Sequence, residues 1–229
     1  MRTILFRDRR EAGRRLAEML SPMAASADLV VLGLPRGGIP VAFEVADAFD
    51  APLDVCVVRK LGVPGHEELA MGAIASGGVQ LLDARVIRAL KISEEEIQRT
   101  LAREQLELER RERAYRGDRG TVEVRGRTVI LVDDGMATGA SMTAAVAALR
   151  RRDPRELIVA VPVASKAACT ALRGVANGCI CVATPEPFYG VGQWYLDFEQ
   201  TTDDQVRERL AAANTRAVAA PRSRAVLTE

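Results

Sequence analysis

Two adjacent carboxylates, Asp133 and Asp134, close the most apolar run of the chain, residues 128–134, and the sequence GMATGAS follows at once. Small residues let a backbone approach a ligand, and successive amides opening a helix favour an anion. Thr138 and Ser141 add hydroxyl donors, so Gly135, Met136, Ala137, Thr138, Gly139, Ala140 and Ser141 read as a phosphate cradle. The carboxylates would repel that phosphate and therefore belong beside it, where hydroxyl groups or a cation need acceptors. A phosphorylated sugar satisfies both halves. A helix N-cap would account for one aspartate and leave the other without a task.

Other chemistries fit less well. G-x-x-x-x-G-K-[ST] is absent, and no G-x-G-x-x-G follows a strand with an acidic partner downstream. His66 is the single histidine and lies in a glycine-rich stretch, which argues against a Ser-His-Asp triad or a histidine metal cluster. Cys56, Cys169, Cys179 and Cys181 form no C-x-x-C pair, and each sits in an apolar stretch where a thiol behaves as a small hydrophobe. Lys and Arg total 32 against 31 for Asp and Glu, so no charge excess draws the molecule onto nucleic acid or an anionic membrane. No apolar run reaches the roughly 20 residues of a membrane span, and MRTILFRDRR lacks the apolar core of a signal peptide. A cytoplasmic protein is expected.

The elements that must position these residues follow from hydrophobic period. Asp8 and Glu11 resemble a capping box, with Ala12, Leu16, Met19 and Leu20 on one face of a first helix that covers a sheet edge. Residues 28–34 read as a strand buried on both faces that ends in Pro35, Arg36, Gly37 and Gly38; a helix over 39–49 and a strand over 53–60 complete a βαβ unit. Residues 61–72 read as an irregular loop, because Gly62, Pro64 and Gly65 oppose regular structure. The flanks of Gly77 and Gly78 predict a hairpin. Ser93 and Glu96 open a charged helix over 94–116, taken as a solvated face. Strands over 156–164 and 179–185 alternate with helices over 139–152 and 165–174, and a last helix spans 203–213. The expectation is one domain over 1–213, followed by a disordered tail over 214–229. In such open parallel sheets ligands bind beyond the carboxyl ends of strands. The loops at 35–38, 60–72 and 133–141 can thus converge on one crevice.

With these residues in view, VILVDDGMATGAS (129–141) resembles the ribose-phosphate signature of the type I phosphoribosyltransferases, and GLPRGGIPVA (33–42) resembles their pyrophosphate loop. Arg59 and Lys60 resemble the basic pair that opens the family's flexible loop. The whole chain is similar to a bacterial group of such proteins that share RKLG, VDDGxATG and wYxdF segments. The resemblance implies an α/β fold with a mostly parallel central sheet, helices on both faces, a flexible loop carrying Arg59, Lys60, His66, Glu67 and Glu68, and a small hood from segments near 1–20 and 184–200.

It also implies roles. Asp133 and Asp134 would accept the ribose 2′ and 3′ hydroxyls, residues 135–141 would wrap the 5′-phosphate, and residues 35–38 would hold pyrophosphate with Mg²⁺ across a cis Pro35 to Arg36 peptide bond. The loop from Arg59 to about Gly72 would close as a lid. Asp133, Asp134, Arg36 and Lys60 would carry catalysis, and Asp133, Asp134 and Asp197 would face the metal, partly through PRPP and water. The implied reaction is that of a pentosyltransferase, moving phosphoribosyl from PRPP to a nucleobase or related nitrogen acceptor in nucleotide salvage, in a homodimer by family habit. A PRPP-sensing protein on the same fold is the alternative. Ala137 stands where 6-oxopurine enzymes carry an aspartate, which resembles adenine-type loops instead. Five of the nine aromatics crowd residues 187–200, so Phe188, Tyr189, Trp194 and Tyr195, with Asp197 and Lys166, are candidates for a base pocket.

Overall fold

The computed structural model describes residues 5–23 and 28–219. Its strands are β1 (Leu29–Gly33), β2 (Leu53–Val55), β3 (Val58–Val63), β4 (His66–Ala75), β5 (Val79–Leu82), β6 (Thr128–Val132), β7 (Glu156–Val163) and β8 (Gly178–Ala183). Its helices are α1 (Arg9–Leu20), α2 (Gly38–Ala48), α3 (Ala84–Leu90), α4 (Glu94–Arg116), α5 (Ala140–Arg150), α6 (Lys166–Leu172) and α7 (Asp203–Ala219).

The doubly apolar runs become a five-stranded parallel sheet in the order β2-β1-β6-β7-β8. Side chains alternate along each strand, so the sheet feeds two cores. Val31, Ile130 and Val132 face Leu16 and Leu20 of α1, Val41 and Val45 of α2, Leu108 of α4 and Leu210 of α7. Leu32, Leu131 and Val159 face Met142 and Val146 of α5 and Leu172 of α6. Helices therefore cover both faces, as the sequence predicts.

The strand expected over 53–60 is two strands in two sheets. β1 ends at Gly33, where its chain turns into residues 35–38, so β2 has no partner beyond Val55. Cys56 still donates its amide to Gly33 (2.9 Å), but Val57 already donates to the Ser76 hydroxyl (2.9 Å), and β3 then pairs with β4. Nor are residues 61–72 irregular: β3, β4 and β5 form an antiparallel sheet. Its glycines serve the hairpin rather than break it. Gly62 marks a register shift, and Gly65, at φ 76°, lies in the turn. The hairpin predicted at Gly77 and Gly78 is present between β4 and β5.

Two helices depart from expectation. α3 is unforeseen, and α7 runs to Ala219 rather than ending at 213, with Asn214 and Thr215 bonding back to the carbonyls of Leu210 and Ala211 (2.6 and 3.0 Å); residues 220–229 lie outside the described residues. α1 begins as predicted, the Asp8 carboxylate accepting from the Glu11 amide (2.8 Å), and it packs on α2 and over β7 and β8, although Met19 is exposed.

α4 is more than a solvated face. Its predicted capping box is present at Ser93 and Glu96, and its narrow inner stripe buries Ile97, Leu101, Leu108 and Tyr115. Near its C-terminus, buried Arg116 donates to Asp54 (2.8 Å) and to the Val55 carbonyl (2.5 Å), joining α4 to β2. Among the described residues no helix is long and apolar enough to cross a membrane.

Candidate active site

β6 delivers Asp133 and Asp134 to the carboxyl end of the sheet, next to the end of β1, because the two strands pair in parallel from Leu29 with Thr128 to Gly33 with Val132. Leu34 extends that pairing by donating to the Val132 carbonyl (2.8 Å), which lays residues 35–38 against the acidic pair. Only glycine permits the resulting approach. A Cβ on Gly37 would collide with an Asp134 carboxylate oxygen, and one on Gly38 would stand 2.8 Å from the Asp133 Cα and 2.9 Å from the Val132 carbonyl oxygen. The Pro35 to Arg36 peptide bond is cis, the geometry that the resemblance implies.

Beyond the aspartates the chain hangs on β7 and α6. Met136 donates to the Val163 carbonyl (2.9 Å), the Ser165 amide donates to the Met136 carbonyl (2.9 Å), and the Ser165 hydroxyl donates to the Ala137 carbonyl (2.6 Å). A Cβ on Gly135 would meet Val191 at 2.5 Å, so that position too is closed to side chains. α5 then starts behind Gly139, which sits at φ 73° and offers no side-chain cap to the first amides. Ala137, Thr138, Ala140 and Ser141 lie at the surface around that helix end. An open helix N-terminus with two hydroxyls beside it can hold a phosphate.

The acidic pair is electrostatically strained and only half neutralised. Arg9, from the first turn of α1, donates to an Asp134 carboxylate oxygen (2.8 Å) and to the Glu199 carbonyl (2.7 Å), with its guanidinium carbon 3.9 Å from the Phe198 ring centre. Asp133 accepts from the Asp134 amide (2.8 Å). Burial first, and then the neighbouring Asp134 charge, push the Asp133 carboxyl well above the ordinary range. Burial raises Asp134 as well, with Arg9 opposing. Tyr195 donates its hydroxyl to the Asp134 carbonyl (2.6 Å), and burial followed by the Asp134 charge raises that phenol. Oxygen acceptors held under such repulsion suit a diol or a hard cation.

Not every candidate gathers here. Arg36 belongs to the loop stacked on the pair, but its guanidinium lies 3.8 Å from Asp203 of α7, which also accepts from the Tyr115 hydroxyl of α4 (2.9 Å). Arg59 and Lys60 fall on opposite faces of β3. Arg59 binds Glu104 of α4 through two nitrogens (2.9 and 2.5 Å), whereas exposed Lys60 shares the face of Val58, which packs with Ala148 of α5. His66, Glu67 and Glu68 are exposed at the start of β4, and Pro64 lines a depression on α4 with Thr100 and Arg103. Of the three loops expected to converge, 35–38 and 133–141 touch, and 60–72 is a hairpin docked on α4.

The aromatic cluster is mostly packing. Trp194 and Tyr195 are buried with Phe6 of the N-terminal segment, and Tyr195 stacks at 5.3 Å on Phe6 and 5.0 Å on Phe198. Phe188 is half-buried against Trp194, while Tyr189 and Lys166 are exposed. Asp197 is exposed and accepts from the Glu199 amide (3.1 Å). It lines a surface depression together with Arg9, the partner of Asp134. Arg9, Glu104 and Asp203 were not foreseen. Each is one charged residue among many on a helix, distant in sequence from its partner, and nothing in its neighbours marks it.

A glycine loop stacked on two carboxylates, with an open helix end beside them at the carboxyl edge of a parallel sheet, is the arrangement from which the class of protein can be read. Residues 8–184 match the phosphoribosyl transferase domain family, and the chain belongs to it; its fold is that of the type I phosphoribosyltransferases. It is 45% identical over 202 residues to two provisionally named phosphoribosyl transferases of Mycobacterium tuberculosis, Rv0571c and MT0597. The match covers 88% of this chain and 45% of each of those proteins, so the chain spans a little under half the length of these curated relatives. The crystal structure of TT1426 from Thermus thermophilus is 44% identical, covers 91% of this chain and 99% of that one, and has a TM-score of 0.82.

Proposed function

We propose that the protein transfers the 5-phosphoribosyl group of PRPP to a nitrogen of a nucleobase or related acceptor. The observation that supports this reading is the close stacking of Gly37 and Gly38 on Asp134 and Asp133, which suits a loop for pyrophosphate beside acceptors for a diol. Residues 136–141 would take the 5′-phosphate, and Asp133 and Asp134 the ribose hydroxyls. In the transfer the bond from C1′ to the pyrophosphate oxygen breaks, its electron pair leaves with pyrophosphate, and the acceptor nitrogen forms the new bond and sheds its proton. The transition state has oxocarbenium character, and the nearby carboxylates stabilise that developing positive charge by position alone. Lys60, exposed on the α5 side of its hairpin, is the basic group assigned to the departing pyrophosphate.

Oxygen donors under mutual repulsion fit Mg²⁺, with Asp133 as the residue to hold it together with oxygens of the substrate, because Arg9 takes up Asp134 instead. When bound, that ion neutralises charge on the leaving group. Asp197, which shares a depression with Arg9, would reach the ion through water or the substrate.

A second reading is compatible with the ion pairs of the site. Arg9 already occupies Asp134, and Arg36 and Arg59 are drawn to Asp203 and Glu104, a pattern that suits a PRPP-binding regulator as well as an enzyme at rest. Incubation with PRPP, Mg²⁺ and a panel of nitrogen bases, monitored by pyrophosphate release, separates the two. Base-dependent release supports transfer. Tight PRPP binding without transfer to any acceptor replaces it with the sensor, and failure to bind PRPP or ribose 5-phosphate removes both.

A further inference from the structure

Three of the four cysteines meet on the sheet face opposite to α1. Cys179 and Cys181, two residues apart on edge strand β8, project to the same side. Cys169 reaches them from α6. The Cys179 and Cys181 sulfurs are 3.9 Å apart, and all three lie within 4.8 Å of one another. Among the described residues no other three cysteine, histidine or acidic side chains bring ligand atoms so close.

That spacing can be compared with what thiolates around an ion require. A sulfur to metal bond of about 2.3 Å places ligand sulfurs about 4.0 Å apart in a trigonal plane and about 3.8 Å apart at tetrahedral angles. The Cys179 and Cys181 pair already has this separation, and Cys169 needs a shift under about 1 Å from the 4.8 Å bound. A disulfide would instead require two sulfurs to close to about 2.05 Å, with both residues on one extended strand or bridged from helix to strand.

An all-sulfur donor set rejects hard cations such as Mg²⁺ and Ca²⁺ and selects soft or borderline ones. Cys169 is buried while Cys179 and Cys181 are half-buried, so an ion can enter from the surface and be partly enclosed. Arg173, just past the end of α6, acts electrostatically on Cys169 and Cys179 and would offset the negative charge that three thiolates leave on a mono- or divalent ion. Cys56, just past β2 at the sheet edge opposite β8, is buried and completes no such group.

We propose that Cys169, Cys179 and Cys181 form a three-thiolate site for a thiophilic d¹⁰ cation, Cu(I) or Zn(II). The ion clamps α6 onto the edge strand β8, and a Zn(II) ion would take solvent as its fourth ligand. The clamp lies close to the phosphate cradle, since Ser165 at the start of α6 holds the Ala137 carbonyl and a Cβ on Gly139 would meet Ala168 at 3.3 Å. The metal proposal stands independently of the transferase reading.

The test uses the full chain, reduced and stripped of metal under anaerobic conditions. Zn(II) and Cu(I) are titrated separately against chromophoric chelators, and the outcome expected is one ion per chain for at least one of them, with sulfur-to-copper charge transfer in the near ultraviolet for Cu(I). Which ion binds identifies the occupant. Cys179→Ser and Cys181→Ser should each weaken binding on the order of 10²-fold, while Cys56→Ser leaves it unchanged. Because a variant can fail to fold, wild-type protein is also alkylated with iodoacetamide, with and without the ion, and read by peptide mass spectrometry; the ion should protect Cys179 and Cys181. Substoichiometric binding of both ions, unchanged binding in the serine variants, unaltered alkylation, or a disulfide forming in place of metal binding would each overturn the proposal.

Discussion

The crevice between residues 35–38 and 133–139 and the hairpin of β3 and β4 both lie at ends of strands and are both rich in glycine, yet glycine does opposite things in them. In the crevice Gly37 and Gly38 have no room for a methyl group, because carboxylate and backbone atoms of 132–134 occupy the space. At the hairpin tip a methyl group on Gly65 would meet nothing within 4 Å, and the glycine is there for its φ of 76°. The crevice is a surface fixed by backbone approach. The hairpin is held by side chains, chiefly Arg59 on Glu104 and Leu61, Val63 and Met71 in the core.

The largest effect that would break this contrast is chemical. Asp133→Asn combined with Asp134→Asn should lower kcat on the order of 10²-fold, with a smaller change in PRPP affinity, because the lost charge acts mainly on the cationic transition state. A purely raised KM would assign the pair to ground-state binding. Asp133→Asn alone should have a second signature in stability. Its folded pKa lies above the unfolded value, so the stability linked to its protonated form is fully present below the ordinary carboxylate pKa and is lost as pH rises through the folded one. The Asn variant should therefore unfold at a higher temperature than wild type at neutral pH, and the gap should shrink as pH falls toward the ordinary carboxylate range; a gap that widens on acidification contradicts the placement.

Next in size, Gly38→Ala should cost about 1–3 kcal/mol by overpacking against rigid backbone and should abolish PRPP binding in calorimetry. Gly65→Ala should cost about 1 kcal/mol through its left-handed backbone alone and leave binding intact. Equal losses of binding would erase the distinction between the two regions.

Arg59→Ala should lower stability by about 1 kcal/mol and speed amide exchange in β3 and β4, since Glu104 keeps Arg103 at 3.1 Å, while Lys60→Ala should spare stability and slow turnover. If Arg59→Ala instead weakens PRPP binding strongly, the hairpin must leave α4 and close on the site as a lid. The smallest effect belongs to Tyr195→Phe, which removes the bond to the Asp134 carbonyl and should cost about 0.5–1.5 kcal/mol of stability measured by denaturant unfolding, with the aromatic stack retained.

Much of the molecule was legible in order and type. Apolar runs at 28–34, 128–134 and 156–164 identified central strands because burial on both faces leaves no polar alternation, and the glycines after Pro35 and Asp134 marked the two segments that meet at the end of the sheet. Less legible was anything that depends on which element ends first. Residues 53–60 look like one strand, and only the early end of β1 divides them. Gly62, Pro64 and Gly65 look like breakers, and only pairing with β4 turns them into a bulge and a turn. The aromatics at 188–198 have the composition of a base pocket, and only contact with Phe6 shows Trp194 and Tyr195 to be packed.

The sequence by itself determined the local chemistry: period and composition are properties of neighbours along the chain, and so are a helix cap and a glycine-bounded anion loop. Tertiary structure decided the pairings between distant charges, Arg9 with Asp134, Arg59 with Glu104 and Arg36 with Asp203, together with the meeting of Cys169 with Cys179 and Cys181. These partners act through space over distances of a few ångströms, and a surface with so many arginines and acids offers no local mark of which two the fold will bring within reach.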